Sequence, residues 1–155
     1  MSEQTITEAP AFSLQATCGK QISLAGLKGQ KFILYFYPKD NTPGCTTEAV
    51  DYAGHYEAFR TAGYEVFGVS RDSIASHDRF REKLGLPFDL LSDPDEQACH
   101  AYGVMKQKKM YGRDVHGIER STFVIDAAGK VLKIWRGVKV PGHVEEVLNF
   151  IRQSG

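Results

Sequence analysis

The chain has 155 residues, enough for one domain (1–155) with a full hydrophobic core. Its 19 basic and 19 acidic side chains give a formal net charge of zero, which argues against a nucleic-acid footprint or a polybasic membrane patch. The longest apolar run (32–37) is too short to span a bilayer, and the N-terminus lacks a secretory signal. Three cysteines without a CxxC pair fit a reducing compartment, so we expect a cytoplasmic protein with no membrane or nucleic-acid partner.

Apolar runs that alternate with helical patterns predict an α/β fold, a mixed central β-sheet flanked by helices. The predicted strands are 12–16, 21–24, 32–37, 64–70, 88–91, 121–125 and 131–135. The predicted helices are 42–61, 74–84, 94–102 with Asp93 as N-cap, and 143–152. The first two strands form an N-terminal β-hairpin and the last two a second hairpin. The polar, basic segment 103–119 is predicted to be a long loop.

The segment that precedes Cys45 indicates a nucleophilic sulfur. Thr42 is a good N-cap, and Pro43 is favoured at the first helical position, so Cys45 is the third residue of the helix. There the unpaired backbone N–H groups and the positive end of the helix dipole favour thiolate over thiol. Cys45 also falls on the apolar stripe of the helix, and the alternative is a small hydrophobic residue that fills a gap. Glu48 is interpreted as a first-turn acid that complements the dipole.

Several motifs surround this segment. Pro38, Thr42 and Cys45 follow the spacing PxxxTxxC, and residues 41–48 read NTPGCTTE. Further motifs are APAFSL at 9–14, GVSRD at 68–72, LSD at 91–93 and GIERSTFVID at 117–126. In these motifs the chain resembles the peroxiredoxins, and the longer motif is similar to their bacterioferritin-comigratory or Q-type branch. The resemblance covers most of the chain and implies a thioredoxin-like fold.

The resemblance implies a thiol-dependent peroxidase that needs no metal and no cofactor. Cys45 would be the peroxidatic cysteine, whose thiolate attacks a peroxide oxygen to give a sulfenic acid and water or an alcohol. Arg120 would hold the thiolate and donate to the peroxide, and the Thr42 hydroxyl would contact it. The backbone N–H groups of Gly44 and Cys45 would add donors, while Pro38 would wall the pocket and limit the access of water.

The chain departs from the Q-type pattern in its second cysteine. Many members carry a resolving cysteine five residues after the first, where this chain has Val50. We therefore expect a one-cysteine cycle in which an external thiol, thioredoxin or a glutaredoxin/glutathione system, reduces the sulfenic acid. An atypical two-cysteine cycle with Cys99 as resolving residue, after partial unfolding, is the alternative. Cys18 lies in a polar turn, exposed and far from the site. The branch is often monomeric, and we expect a monomer.

Other function classes fit the residues less well. In a redox-sensing thioredoxin-like module, Cys45 would be oxidised but would not reduce peroxide catalytically. A thiol–disulfide oxidoreductase would need a CxxC pair. A Cys–His hydrolase needs a histidine beside Cys45, but His55 lies roughly 15 Å along the same helix. The histidines are scattered, so no metal site is expected. Arg71 is a candidate for supporting the site from outside it.

Overall fold

The structure, a computed structural model, describes residues 6–110 and 112–154. The strands are β1 (Ser13–Ala16), β2 (Lys20–Ser23), β3 (Lys31–Phe36), β4 (Tyr64–Ser70), β5 (Asp89–Ser92), β6 (Met105–Met110), β7 (Arg113–Ile118), β8 (Ser121–Ile125) and β9 (Val131–Arg136). The α-helices are α1 (Pro43–Gly54), α2 (Tyr56–Thr61), α3 (Ile74–Leu84), α4 (Gln97–Ala101) and α5 (His143–Ser154). Among the described residues, no helix has the length and apolar character needed to cross a membrane.

Seven of these strands form one mixed sheet in the order β2-β1-β5-β4-β3-β8-β9. β3, β4 and β5 run parallel to one another, and the other neighbours are antiparallel. The parallel pairs are joined through helices, as crossovers between parallel strands require. The predicted mixed sheet with an N-terminal hairpin is therefore confirmed.

The central strand β3 separates two hydrophobic cores. Side chains alternate along a strand, so Tyr35 faces one side of the sheet while Leu34 and Phe36 face the other. The first core contains Cys45, Ala49 and Tyr52 of α1, together with side chains of α2, α3 and α5. The second contains Cys99 of α4 with side chains of β1 and β8. The continuous apolar run 32–37 is buried on both faces of the sheet.

Two predicted helices have different bounds in the structure. The helix predicted over 42–61 is interrupted at His55, whose φ of −108° and ψ of 8° lie outside the helical range. Gly54, a poor helix former, precedes the break. The helix predicted from residue 94 begins at Gln97, because Glu96 adopts a left-handed φ of 61°. The N-cap position therefore falls on Glu96 and not on the predicted Asp93, although the two carboxylate oxygens of Asp93 accept from the N–H groups of Gln97 and Cys99.

The prediction of a long loop over residues 103–119 is wrong. This segment folds into the antiparallel hairpin of β6 and β7, in which Met105 pairs with Ile118. The two strands pair only with each other and form a sheet of their own. Lysine, which recurs along β6, is depleted in strands, so composition gave no strand signal here. Gly112, with a φ of +79°, lies at the turn and was the local cue for a hairpin.

Candidate active site

The candidate site lies where β3 ends. β3 pairs antiparallel with β8, and Phe36 is opposite Ser121. Arg120, the residue before Ser121, therefore lies beside the point where the chain leaves the sheet. Residues 38–42, called the 38–42 turn below, lead from there into α1 and its Cys45. The sheet thus brings together Cys45 and Arg120, which are 75 residues apart in sequence.

Thr42 occupies the predicted N-cap position of α1, with extended backbone, and Pro43 is the first helical residue. Its hydroxyl does not cap the helix, however, which corrects the expectation of a side-chain cap. The hydroxyl donates instead to the carbonyl oxygen of Lys39, at 2.9 Å, and so closes the 38–42 turn on itself. Pro38, at the start of the same turn, is half-buried. Both residues therefore shape the chain that leads to Cys45.

The Cys45 sulfur is buried and in contact with a guanidinium. Only 2% of the residue is exposed, and Nη1 of Arg120 donates to Sγ at 3.4 Å. The guanidinium also lies over Gly44, where a Cβ would come within 3.1 Å of Nη2. Burial by itself would lower the pKa of Arg120, but the Glu48 carboxylate and the Cys45 sulfur raise it, so the group stays charged. A permanent positive charge therefore faces the sulfur.

Glu48 is a site residue that sequence reasoning missed. It is not a first-turn acid; it lies one turn further along α1, fully buried, and Oε1 accepts from Nη1 of Arg120 at 2.7 Å. Burial raises the pKa of Glu48 to about 7, although Arg120 acts in the opposite direction. Its spacing from Cys45 on the apolar stripe was the available signal, because residues three apart share a helix face and a buried charge must be paired.

Aromatic side chains form the floor of this region. The rings of Tyr35 and Tyr52 stack at 4.4 Å between centroids. In the part of the chain that the structure describes, neither hydroxyl has a hydrogen-bond partner, and the same holds for Oε2 of Glu48. Burial raises the pKa of Tyr35, and the negative charge of Glu48 adds to the effect, so the phenol stays neutral. Gly68 makes room for this ring, since a Cβ there would lie 2.8 Å from Cζ of Tyr35.

The other two thiols lie in different surroundings. Cys99 is fully buried in the second core, on the opposite face of the sheet from Cys45. Burial raises its pKa well above the ordinary range, and the neighbouring Asp93 carboxylate acts in the same direction. Cys18 is exposed, as predicted, and its Sγ accepts from Nη1 of Arg81 at 3.4 Å. The structure therefore brings neither thiol to the Cys45 site.

Two further predicted features differ from expectation. Arg71 pairs with Glu96, at 2.9 Å, rather than with a residue of the Cys45 site. The histidines are not all scattered, because His77 meets Asp40 and Asp72 in a group whose potential ligand atoms lie within 4.8 Å of one another. These atoms already take part in hydrogen bonds within the protein. The group adjoins the 38–42 turn, of which Asp40 is a member.

Comparison with known proteins places the chain among peroxide-reducing relatives. It matches the model of the AhpC/TSA family over residues 6–134. It is 48% identical to a putative peroxiredoxin Bcp of Coxiella burnetii over 96% of this chain and 98% of that protein. It is also 48% identical to the peroxiredoxin Bcp of Xanthomonas campestris pv. campestris, over 92% of each chain.

Solved structures agree with these matches. The bacterioferritin comigratory protein of Xanthomonas campestris, studied for its alkyl peroxide reduction activity, superposes with a TM-score of 0.89 at 46% identity, covering 92% of this chain and 91% of that one. A cysteine-to-serine variant of PrxQ from Xylella fastidiosa gives a TM-score of 0.91 at 40% identity, covering 98% and 99%. The predicted thioredoxin-like architecture is thereby confirmed.

Proposed function

We propose that this chain, which belongs to the Bcp peroxiredoxins of the AhpC/TSA family and is therefore a thiol-dependent peroxidase, uses Cys45 as its peroxidatic nucleophile. The substrates would be hydrogen peroxide and organic hydroperoxides. One observation carries the assignment: the buried Cys45 sulfur, in the first turn of α1, accepts a hydrogen bond from the charged Arg120. A cation and a helix N-terminus both stabilise a thiolate, which is the attacking species.

The chemical step needs only this site and the peroxide. The Cys45 thiolate would attack one peroxide oxygen, so that an S–O bond forms while the O–O bond breaks. Sulfur is oxidised by two electrons to a sulfenic acid, and the departing oxygen takes up a proton and leaves as water or an alcohol. Arg120 and the backbone N–H groups of Gly44 and Cys45 would stabilise charge as it moves onto that oxygen. Thr42 would orient the peroxide, and Pro38 would restrict water.

We further propose a one-cysteine cycle in which an external thiol reduces the sulfenic acid. Cys45 and Cys99 belong to cores on opposite faces of the sheet. A disulfide requires Cα atoms about 4.4–6.8 Å apart, so pairing them would require unpacking one core. Burial also raises the pKa of Cys99, which disfavours the thiolate needed for attack. Thioredoxin or a glutaredoxin/glutathione system would supply the reductant.

Two other properties are proposed with this function. The enzyme would act in the cytoplasm, where thiol reductants are maintained and the thiols, which the structure leaves unpaired, would persist. It would work as a monomer, which size-exclusion chromatography with light scattering can check. A tetramer or dimer at working concentration would contradict the second property without affecting the first.

The decisive experiment is intact mass and thiol mapping after one equivalent of hydrogen peroxide without reductant. We expect one added oxygen on Cys45, captured by dimedone, and no disulfide. Cys99→Ser and Cys18→Ser serve as controls and should behave like the wild type. A disulfide from Cys45 to Cys99 would instead establish the two-cysteine alternative. No rapid change at Cys45 would contradict the peroxidatic assignment.

Catalytic turnover separates the enzyme from a redox-sensing module. Peroxide consumption would be followed with NADPH and a thioredoxin or glutaredoxin system in excess. A peroxidase consumes many equivalents of peroxide per chain, and Cys45→Ser should consume none. A sensor would stop after a single oxidation event even with both reducing systems present.

A further inference from the structure

The 38–42 turn is held by a buried carboxylate that the peroxidase chemistry does not use. Asp40 is only 5% exposed. Its Oδ1 accepts from the Tyr37 hydroxyl at 2.6 Å, and its Oδ2 accepts from the Ser76 hydroxyl at 2.8 Å. Its backbone N–H donates to Oδ2 of Asp72 at 2.7 Å. The contacts tie the turn to the end of β3, to α3 and to the segment after β4.

The fourth partner of Asp40 is a fully buried histidine. Nδ1 of His77 lies 2.7 Å from Oδ2 of Asp40, and Nε2 lies 2.9 Å from the carbonyl oxygen of Leu91. A carbonyl oxygen can only accept, so Nε2 carries a hydrogen, and a second proton must lie between Nδ1 and the carboxylate. Burial alone would raise the pKa of Asp40, but its hydrogen bond with His77 and the charge of that ring lower it. Nδ1 of His77 and Oδ2 of Asp40 therefore share one proton in a buried hydrogen bond.

A metal ion does not explain the cluster. A cation between Asp40, Asp72 and His77 would have to displace the proton on Nδ1 and compete with the hydroxyl hydrogens that Asp40 and Asp72 accept from Ser76 and Ser70. Stability does not explain it well either, because the cost of desolvating a buried ion pair offsets most of its attraction. What such a pair does supply is directional hydrogen bonding at a defined place.

That place is the turn from which the proposed catalytic groups follow. Asp40 precedes Thr42 by two residues and Cys45 by five. The next residue, Asn41, has a left-handed φ of 64°, a conformation that non-glycine residues adopt at a cost and that needs support from its surroundings. Lys83 of α3 also reaches this residue, since Nζ donates to Oδ1 of Asn41 at 2.9 Å. α3 therefore holds the turn at two successive positions.

We propose that the buried Asp40–His77 pair positions the 38–42 turn, and through it the Thr42 hydroxyl and the first turn of α1, for reaction of Cys45 with peroxide. The inference rests on the proposed function of Cys45 and adds two positioning residues to it. Neither touches the reacting atoms. They act by fixing the direction from which the groups that donate hydrogen bonds to the peroxide face the sulfur. A misplacement of such groups by about 1 Å can lower the rate about 10²-fold.

Two substitutions at residue 40 separate geometry from charge. Asp40→Ala removes the carboxylate oxygens that face the Tyr37 hydroxyl, the Ser76 hydroxyl and Nδ1 of His77. Asp40→Asn keeps the shape of the network, because its carbonyl oxygen can accept from Tyr37 while its NH₂ group donates to Ser76 and to Nδ1 of a neutral His77. We expect Asp40→Ala to slow Cys45 oxidation about 10- to 100-fold. Asp40→Asn should remain within about threefold of the wild type, because its hydrogen bonds are satisfied.

The matched control is a more exposed histidine–carboxylate pair elsewhere in the fold. Nε2 of His100 lies 3.0 Å from Oε1 of Glu96 on the exposed side of α4, and it does not contact the 38–42 turn. His100→Ala should oxidise at the wild-type rate. Should Asp40→Ala fail to fold, Ser76→Ala removes a single hydroxyl from the same Oδ2 and should slow the peroxide reaction about two- to fivefold, roughly the value of one hydrogen bond.

The test compares two reactions of the same sulfur. One is oxidation by substoichiometric peroxide, which needs the oriented donors, and the other is alkylation by iodoacetamide, which does not. Rates would come from quenched samples and mass spectrometry, with thermal unfolding in parallel. The proposal predicts that Asp40→Ala slows oxidation at least tenfold while alkylation stays within about threefold, and that Asp40→Asn restores oxidation.

Three results would overturn it. These are an unchanged oxidation rate in folded Asp40→Ala, a parallel change in oxidation and alkylation, and an Asp40→Asn variant as slow as Asp40→Ala. The parallel change would indicate a general loosening of the fold, and the slow amide variant would indicate that charge matters rather than position. A wild-type chain whose Cys45 resists peroxide would refute the proposed function itself, and with it this role of the pair.

Discussion

Cys45 and Cys99 occupy the same position in two different helices, and their surroundings are opposite. Each is the third residue of its helix and each is buried, but they lie on opposite faces of the sheet. A guanidinium from Arg120 reaches the sulfur of Cys45. At Cys99 burial raises the pKa of the thiol, and the carboxylate of Asp93, which accepts from the Cys99 N–H, acts in the same direction.

The comparison shows that a helix N-terminus does not by itself activate a thiol. The first turns of both helices expose N–H groups, but Asp93 satisfies those of α4 and leaves negative charge beside the sulfur. In α1 the side chain of the N-cap residue Thr42 makes no capping hydrogen bond, and the charged group that contacts the sulfur is the Arg120 guanidinium. Under the proposed assignment, the group beside the helix start would decide whether a buried cysteine becomes a nucleophile.

The largest effect expected from this comparison concerns the two sulfurs. Cys45→Ser should abolish peroxide turnover, because a serine hydroxyl is not ionised at neutral pH and cannot be oxidised to a sulfenic acid. Cys99→Ser should retain most of the activity per folded molecule. Steady-state peroxide consumption with a thiol reductant measures both. Equal losses of peroxide consumption in the two variants would show that the cysteines on the two faces of the sheet do not differ in function.

The next largest effect is expected from Arg120→Ala. Removing the cation leaves the Cys45 thiolate and the departing oxygen without their charged donor, so the second-order rate of oxidation should fall on the order of 10²-fold. Arg71→Ala is the matched control, since that guanidinium pairs with Glu96 and should leave the rate unchanged. Arg120→Lys should recover only part of the loss, because an ammonium lacks the planar fork that reaches Cys45 and Glu48 together. A wild-type rate in Arg120→Ala would exclude this residue from the site.

Glu48, on the same face of the sheet as Cys45, makes the free energy of unfolding depend on pH. Its pKa is raised to about 7 in the folded state from an ordinary value near 4.5, so folding favours the protonated form. Below pH 4.5 the group is neutral in both states and contributes no penalty. As pH rises through this interval the folded state resists ionisation, and the free energy of unfolding should fall by about 2 to 3 kcal/mol between pH 5 and pH 8.

Glu48→Gln should remove that part of the pH dependence. Denaturant unfolding of both proteins at pH 5 and pH 8 gives the four free energies needed, and the decline in the wild type should exceed that in the variant by the amount above. Glu57→Gln, which changes an exposed carboxylate on α2, serves as the control and should keep the wild-type slope. Identical slopes in all three proteins would mean that the pKa of Glu48 in the folded state is near its ordinary value.

The sequence predicted the part of the site that depends on neighbours along the chain. The sequence of Thr42 and Pro43 predicts the start of α1 correctly, although the Thr42 side chain does not cap it, because the preference for proline at the first helical position is local. Arg120, judged alone, is a charge at a strand edge, and only the resemblance identified it, since its position depends on the pairing of β3 with β8. The Asp40–His77 contact spans 37 residues and crosses elements, so no local pattern reports it. The hairpin of β6 and β7 was missed because its residues carry no apolar alternation.

The smallest expected effect tests whether the two faces are independent. Asp93→Ala removes the acceptor for the N–H groups of Gln97 and Cys99, so α4 loses these hydrogen bonds and the free energy of unfolding should fall by about 1 to 2 kcal/mol. The rate at which peroxide oxidises Cys45 should not change, because the sheet separates α4 from the Cys45 core. Urea unfolding and single-turnover oxidation on the same sample measure the two quantities. A slower oxidation in this variant would show that α4 is coupled to the Cys45 site through the sheet, and the comparison between the two cysteines would then have to include that coupling.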